Sequence, residues 1–190
     1  MMPRLSVAGM TALMVACASV PTVRLHSLLE PGTAFTVAAA APSWELLTVT
    51  LPAQVDQPQW LVRGANGQPV VLEQERWVAP LGEEMRALLG QRIVAAALPI
   101  TPQRWRIGVD VTRFDALWGR AAQLEATWTV QTLGGAATPV LRCRSSFEAA
   151  AAPDMTSLAA AHRANVARLG DVLAAALKQG ASASCSSVSS

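Results

Sequence analysis

The chain has no tyrosine, a single lysine and only two histidines in 190 residues. With His26 and His162 the only side chains that ordinarily change charge near neutral pH, acid–base chemistry has few candidates. No G-x-S-x-G elbow, H-E-x-x-H helix, C-x-x-C pair or phosphate-binding glycine loop is present. Hydrolase, zinc and nucleotide chemistries therefore each lack their local signature. No enzymatic activity is expected, and neither a metal nor a cofactor is implied. Positive charge is thin as well: besides Lys178 the cations are fourteen scattered arginines, and the formal net charge is +2. Binding a polyanion needs a concentrated basic face with aromatics beside it, so nucleic acid is not an expected partner. Charged residues make up 15% of the chain against 52% hydrophobic. That balance argues against a disordered protein and suits one domain with a real core.

What is present begins at the N-terminus. Arg4 supplies a short positive region, and residues 5–15 form an uncharged, apolar stretch ending in small side chains, which is the pattern of a signal peptide. As a helix those eleven residues would rise about 16 Å, half of a bilayer core, too little for a transmembrane anchor. Leu13-Met14-Val15-Ala16-Cys17 resembles the lipobox of bacterial lipoproteins, in which the cysteine thiol is acylated and the leader is removed ahead of it. The resemblance implies a signal peptide over 1–16 and acyl chains on Cys17. Two or more such chains anchor stably, at about 0.8 kcal/mol per buried methylene. Ala18 follows, not the aspartate that commonly retains such lipoproteins at the inner membrane, which by analogy points to the periplasmic face of the outer membrane. Residues 18–21 span at most about 14 Å, so the folded body should sit against the bilayer surface.

The body is expected over 17–180, with a polar serine-rich tail over 181–190 too poor in apolar residues to fold. Strands are predicted over 23–29 and 44–51, separated by a loop at 30–43 of a length that is uncommon unless the loop is mobile or binds something. A hairpin joins Trp60-Leu61-Val62-Arg63 to Val70-Val71-Leu72-Glu73 through Asn66-Gly67. Leu81, Met85, Leu88, Leu89, Ile93 and Ala96 form a helical stripe between Pro80 and Pro99. Three alternating strands follow: Trp105, Ile107, Val109 and Val111; Leu124, Ala126, Trp128 and Val130; Leu141, Cys143, Ser145 and Phe147. Their opposite faces are polar, as in an antiparallel meander covered on one side. Asp154 caps a second helix striped by Leu158, His162, Val166, Leu169, Leu173 and Leu177 and ended by Gly180. The fold class is thus α+β, a single domain with a mostly antiparallel sheet covered on one face by two amphipathic helices.

An oxidising compartment would permit Cys143 and Cys185 to pair, but Cys143 on an apolar face reads as a buried free thiol. His162, inside a helical stripe, reads as a hydrogen-bonded histidine at a packed interface. Most tryptophans read as core, while Trp44 and Trp118, next to loops, are the aromatic candidates for partner contact.

Five segments in order resemble one family: Val55-Asp56-Gln57-Pro58-Gln59-Trp60-Leu61-Val62-Arg63, Glu75-Arg76-Trp77-Val78-Ala79-Pro80-Leu81, Val109-Asp110-Val111-Thr112-Arg113-Phe114-Asp115, Leu124-Glu125-Ala126-Thr127-Trp128 and Ala161-His162-Arg163. They resemble the PqiC-type lipoproteins, auxiliary components of ABC-type and MCE-type intermembrane transport systems, over most of residues 20–178. The resemblance implies a lipid-anchored docking subunit whose partner is an MCE-family periplasmic protein, and a homo-oligomer. Arg63, Arg76 and Arg113 join Trp44 and Trp118 as candidate partner contacts. The alternative is structural pairing, of Arg63 with Asp56 or Glu75 and of Arg113 with Asp115 or Asp110. The competing function is a structural envelope lipoprotein that stabilises another outer-membrane complex.

Overall fold

The computed structural model describes residues 22–30, 43–98, 102–134, 140–180 and 183–185. The leader, Cys17, residues 31–42 of the predicted loop, Pro99 and most of the tail lie outside the described residues. The elements are β1 (Arg24–His26), β2 (Trp44–Thr50), β3 (Gln59–Arg63), β4 (Pro69–Trp77), α1 (Leu81–Ala95), β5 (Arg104–Leu117), β6 (Ala121–Leu133), β7 (Val140–Ala150) and α2 (Met155–Gln179).

The strands form one mixed, mostly antiparallel sheet in the order β1-β4-β3-β5-β6-β7, with β2 also paired to β5. The meander β5–β6–β7 and the hairpin β3–β4 are antiparallel, as the alternation implies. In the hairpin turn Gly67 takes φ 75° and Asn66 Oδ1 accepts the Gln68 N–H, the positive angle that Asn-Gly was expected to supply. The remaining ladders, β1 on β4, β2 on β5 and β3 on β5, are parallel. Parallel neighbours require long crossovers, here through β4 and α1 between β3 and β5. Local periodicity carries no sign of such a crossover.

One irregularity keeps the core continuous. In β5 the buried residues Ile107, Val109 and Val111 are odd-numbered, and Phe114 and Ala116 are even-numbered. The register against β6 shifts between Val111 and Arg113. A bulge there adds one residue, and since side chains alternate with period two it returns Phe114 to the buried face. Across β6 and β7 the same face carries Leu124, Ala126, Trp128, Cys143 and Phe147. Ser145, polar but buried in that row, accepts the Trp128 indole N–H at 3.0 Å.

The two helices cover this face and pack on one another. Asp154 caps α2 as expected, Oδ1 accepting the Ser157 N–H at 2.8 Å. Where the helices meet, a Cβ built on Gly170 would lie 2.6 Å from Arg92 Cβ, so only glycine permits this approach. The neighbouring Asp171 receives a bidentate pair of hydrogen bonds from Arg92. Gly170→Leu should therefore force α1 and α2 apart and cost about 1–3 kcal/mol. Urea denaturation checks this; an unchanged midpoint would contradict it.

The cysteine expectation is corrected: Cys143 and Cys185 form a disulfide. Gly180, at φ 59°, turns the chain after α2, Ala183 packs against the core, and the Cα atoms of the two cysteines come within 5.4 Å. A polar tail offers no hydrophobic pattern from which this return could have been read.

Candidate functional site

β1 is the described element nearest in sequence to Cys17, and it is a three-residue edge strand whose only strand neighbour among the described residues is β4. So short a strand has little stability of its own. Side chains hold it instead. Glu75, 3% exposed, meets His26 Nε2 at 2.6 Å with Oε2 and takes an Arg24 guanidinium hydrogen bond on Oε1. Burial alone would raise the Glu75 pKa, but the bonds from His26 and Arg24 outweigh it and hold the carboxyl below its ordinary value.

The next residues are gripped from both helices. Glu84 of α1, 4% exposed, accepts the Ser27 hydroxyl at 2.6 Å and the Leu28 N–H at 2.9 Å on the same oxygen. Arg163 of α2 donates to the Leu28 carbonyl at 2.9 Å, to Ser27 O at 3.2 Å and to Leu29 O at 3.5 Å. The Ser27 hydroxyl and the Leu28 N–H thus go to one helix, the carbonyls to the other, and the Leu29 N–H to Ser27 Oγ at 2.9 Å, which meets the requirement that buried backbone groups be paired. Between the grips the Leu28 side chain is fully buried in the core.

Beneath β1 lies a row of rings. Trp77 stacks on Trp60 at 4.1 Å, Trp60 meets His26 and His162 edge-on at 5.5 and 5.7 Å, and His162 stacks on Phe114 at 3.9 Å. The expectation of a hydrogen-bonded His162 is corrected in part. It is packed and fully buried, yet among the described residues neither ring nitrogen has a hydrogen-bond partner, nor does the Trp60 indole nitrogen. Burial pushes its pKa down from 6.5 to about 3, so the ring is neutral at physiological pH. The cavity beside these rings measures about 10 Å³, on the scale of one water and not of a substrate. Among the described residues no group of three His, Cys, Asp or Glu side chains could hold a metal ion.

The arginines singled out by sequence lie elsewhere. Arg63 donates to Asp115 at 2.9 Å, not to Asp56 or Glu75. Arg113 sits 2.8 Å from Glu125 and 3.7 Å from Asp115, and Arg144 also donates to Glu125. The hydrogen bond from Arg144 lowers the Glu125 pKa first; burial opposes it, and the Arg113 charge adds to the lowering. These five side chains form a charged row on the sheet face away from the helices, where each pair contributes about 0–1 kcal/mol. Arg76 stands apart, its Nε 3.4 Å from the Glu73 carbonyl. Trp44 is half-buried at the start of β2, against α1 near Gly90. Trp118 is 40% exposed in the β5–β6 turn, and its backbone N–H donates to the Arg63 carbonyl. The structure thus joins Arg63, Arg113 and Trp118 along one part of the sheet and leaves Trp44 and Arg76 separate.

Sequence reading gave Glu84 only a role at the helix dipole. A signal existed, since Glu84 follows Leu81 by three residues and so falls inside the buried stripe of α1. Arg163→Ala should remove the carbonyl grip and cost about 2 kcal/mol, because hydrogen bonds from charged donors contribute about 1.5–3 kcal/mol. Hydrogen exchange should show faster exchange at Leu28 and Leu29 while the β5–β6–β7 amides stay protected. Unchanged exchange at those two amides would contradict the grip.

Comparison with known proteins agrees with this architecture. A family model described as ABC-type transport auxiliary lipoprotein component matches residues 26–174, a span that contains all three grips on the N-terminal segment. An uncharacterised protein of known crystal structure is similar in fold, with a TM-score of 0.64 at 14% identity over 81% of this chain and 97% of that one. A Xanthomonas campestris protein of family DUF330 gives a TM-score of 0.51 at 16% identity over 80% of this chain and 90% of that one. No curated protein matches the sequence. Among the described residues no helix is long and apolar enough to cross a membrane. With more than half its length matched by the family model, the chain belongs to the ABC-type transport auxiliary lipoprotein component family.

Proposed function

We propose that the protein is a non-enzymatic periplasmic lipoprotein, held on the outer membrane by acyl chains on Cys17, that docks the periplasmic end of an ABC/MCE-type intermembrane lipid transport system. The observation that carries this reading is the seat of β1. A strand too short to hold itself is fixed by Glu75, and the residues that follow it by Glu84 and Arg163, as a body that must keep a set position relative to its anchor would need. Two further features support it. The Cys143–Cys185 disulfide suits an oxidising compartment such as the periplasm. The cavity at the aromatic row is too small for a substrate, which favours a binding role over catalysis. Self-association belongs to the same reading, since the β7 edge has no strand neighbour among the described residues.

Crosslinking in intact envelopes followed by purification of the protein tests the proposal. An MCE-family protein is expected among the products. Recovery of no component of such a transporter would contradict it, and recovery of other outer-membrane proteins alone would favour a structural envelope role.

A further inference from the structure

We propose that the end of the sheet carrying Trp118, Arg120, Val70 and Val71 is the surface that rests on the lipid bilayer. The inference rests on anchoring through Cys17 and adds which way round the body sits. β1 runs parallel to β4, with Arg24 opposite Glu75. Traced backwards from Arg24, the chain therefore heads toward the end where Pro69 pairs with Arg63 and β5 finishes beside β3 at Leu117. Trp118 lies at that end, its backbone N–H bonded to the Arg63 carbonyl.

Reach separates the two ends. Seven residues from Cys17 to Arg24 span at most about 25 Å. Gln59 pairs with Arg76, beside Leu25, and Val62 pairs with Ala116, so Arg24 lies near the level of Phe114. From there to the opposite end of β5, at Arg104, is about 30 Å along the strand, before any sideways distance is added. The tether reaches the Trp118 end and falls short of the Arg104 end.

The composition of the near end fits a lipid surface. Val70, Val71 and Trp118 are 47, 41 and 40% exposed. The tight turn Trp118-Gly119-Arg120 sets an exposed arginine, with no ion pair among the described residues, beside the exposed indole. Tryptophan places an apolar body and a polar N–H at the headgroup level, and arginine pairs with anionic headgroups.

The test uses acylated protein purified from envelopes and reconstituted into vesicles of phosphatidylethanolamine and phosphatidylglycerol. Fluorescent labels on Trp118→Cys, Val71→Cys and Arg104→Cys variants report proximity to spin-labelled lipid by quenching. Val71→Cys gives a second reporter at the same end, independent of the effect of replacing the tryptophan. Labels at 118 and 71 should be quenched several-fold more than the label at 104. Equal quenching, or stronger quenching at 104, in protein that floats with the vesicles would overturn the proposed orientation alone. Protein that fails to float would overturn the anchoring reading, and the orientation with it.

Discussion

Replacing His162 with phenylalanine is expected to remove most of the acid sensitivity of folding between pH 6.5 and about 3. The ring sits fully buried between Phe114 and Trp60, and burial depresses its pKa because no partner compensates a charge there. An unfolded chain takes up the proton below about 6.5, while the folded chain excludes it until about 3. Stability from this group is therefore complete above pH 6.5 and drains as the pH falls through that window. At 1.36 kcal/mol per unit the loss approaches about 5 kcal/mol across the window, and is about 2 kcal/mol at pH 5. Phenylalanine keeps the stacking and removes both unpartnered nitrogens, at an overpacking cost of about 1–3 kcal/mol that does not vary with pH. Urea midpoints followed from pH 7 to 5 should fall in the wild type and stay nearly level in the variant. Equal slopes would show that His162 is not the acid-sensitive group. Glu75 and Glu125 act lower on the scale: their depressed pKa values give stability that is present above about 4.5 and is lost as the pH falls through the folded values.

Cys185→Ser is expected to cost about 4 kcal/mol. The bridge to Cys143 closes a sequence separation of 42 residues, and the chain-entropy relation gives about that loss when such a loop is opened. For a domain of this size the melting temperature should drop by roughly 10 °C. A reductant should lower the wild-type melting temperature by a similar amount and leave the variant unchanged. Equal melting temperatures for oxidised and reduced wild-type protein would contradict a structural role for the bridge.

Both effects come from features that local pattern conveys poorly. Period two and period three-to-four marked β6, β7, α1 and α2 because each buries one face, and those residues are buried except Leu141 and Ala96, which are partly buried. Pattern did not extend β4 past Glu73, since the pairing with β3 shifts register there, and Glu75 and Trp77 turn inward to serve β1 and the ring row. Nor did it foresee that β5 changes parity, because a bulge is set by the partner strand. The five segments carrying the family resemblance were legible as a set, yet the roles of their residues were not. Glu75, Trp77, His162 and Arg163 converge on the N-terminal segment only through tertiary contacts with Arg24, His26, Trp60 and Leu28, and Phe114 joins them through His162. Conversely Arg63 and Arg113, which looked like contact residues, share Asp115 as a structural partner.

Anchoring, compartment and docking all depend on the fate of Cys17. Intact-mass analysis of the protein isolated from envelopes under non-reducing conditions addresses it in one measurement. The predicted product begins at an acylated Cys17 and carries the closed Cys143–Cys185 bridge. A product that keeps its leader, or that begins with an unacylated Cys17, would contradict it.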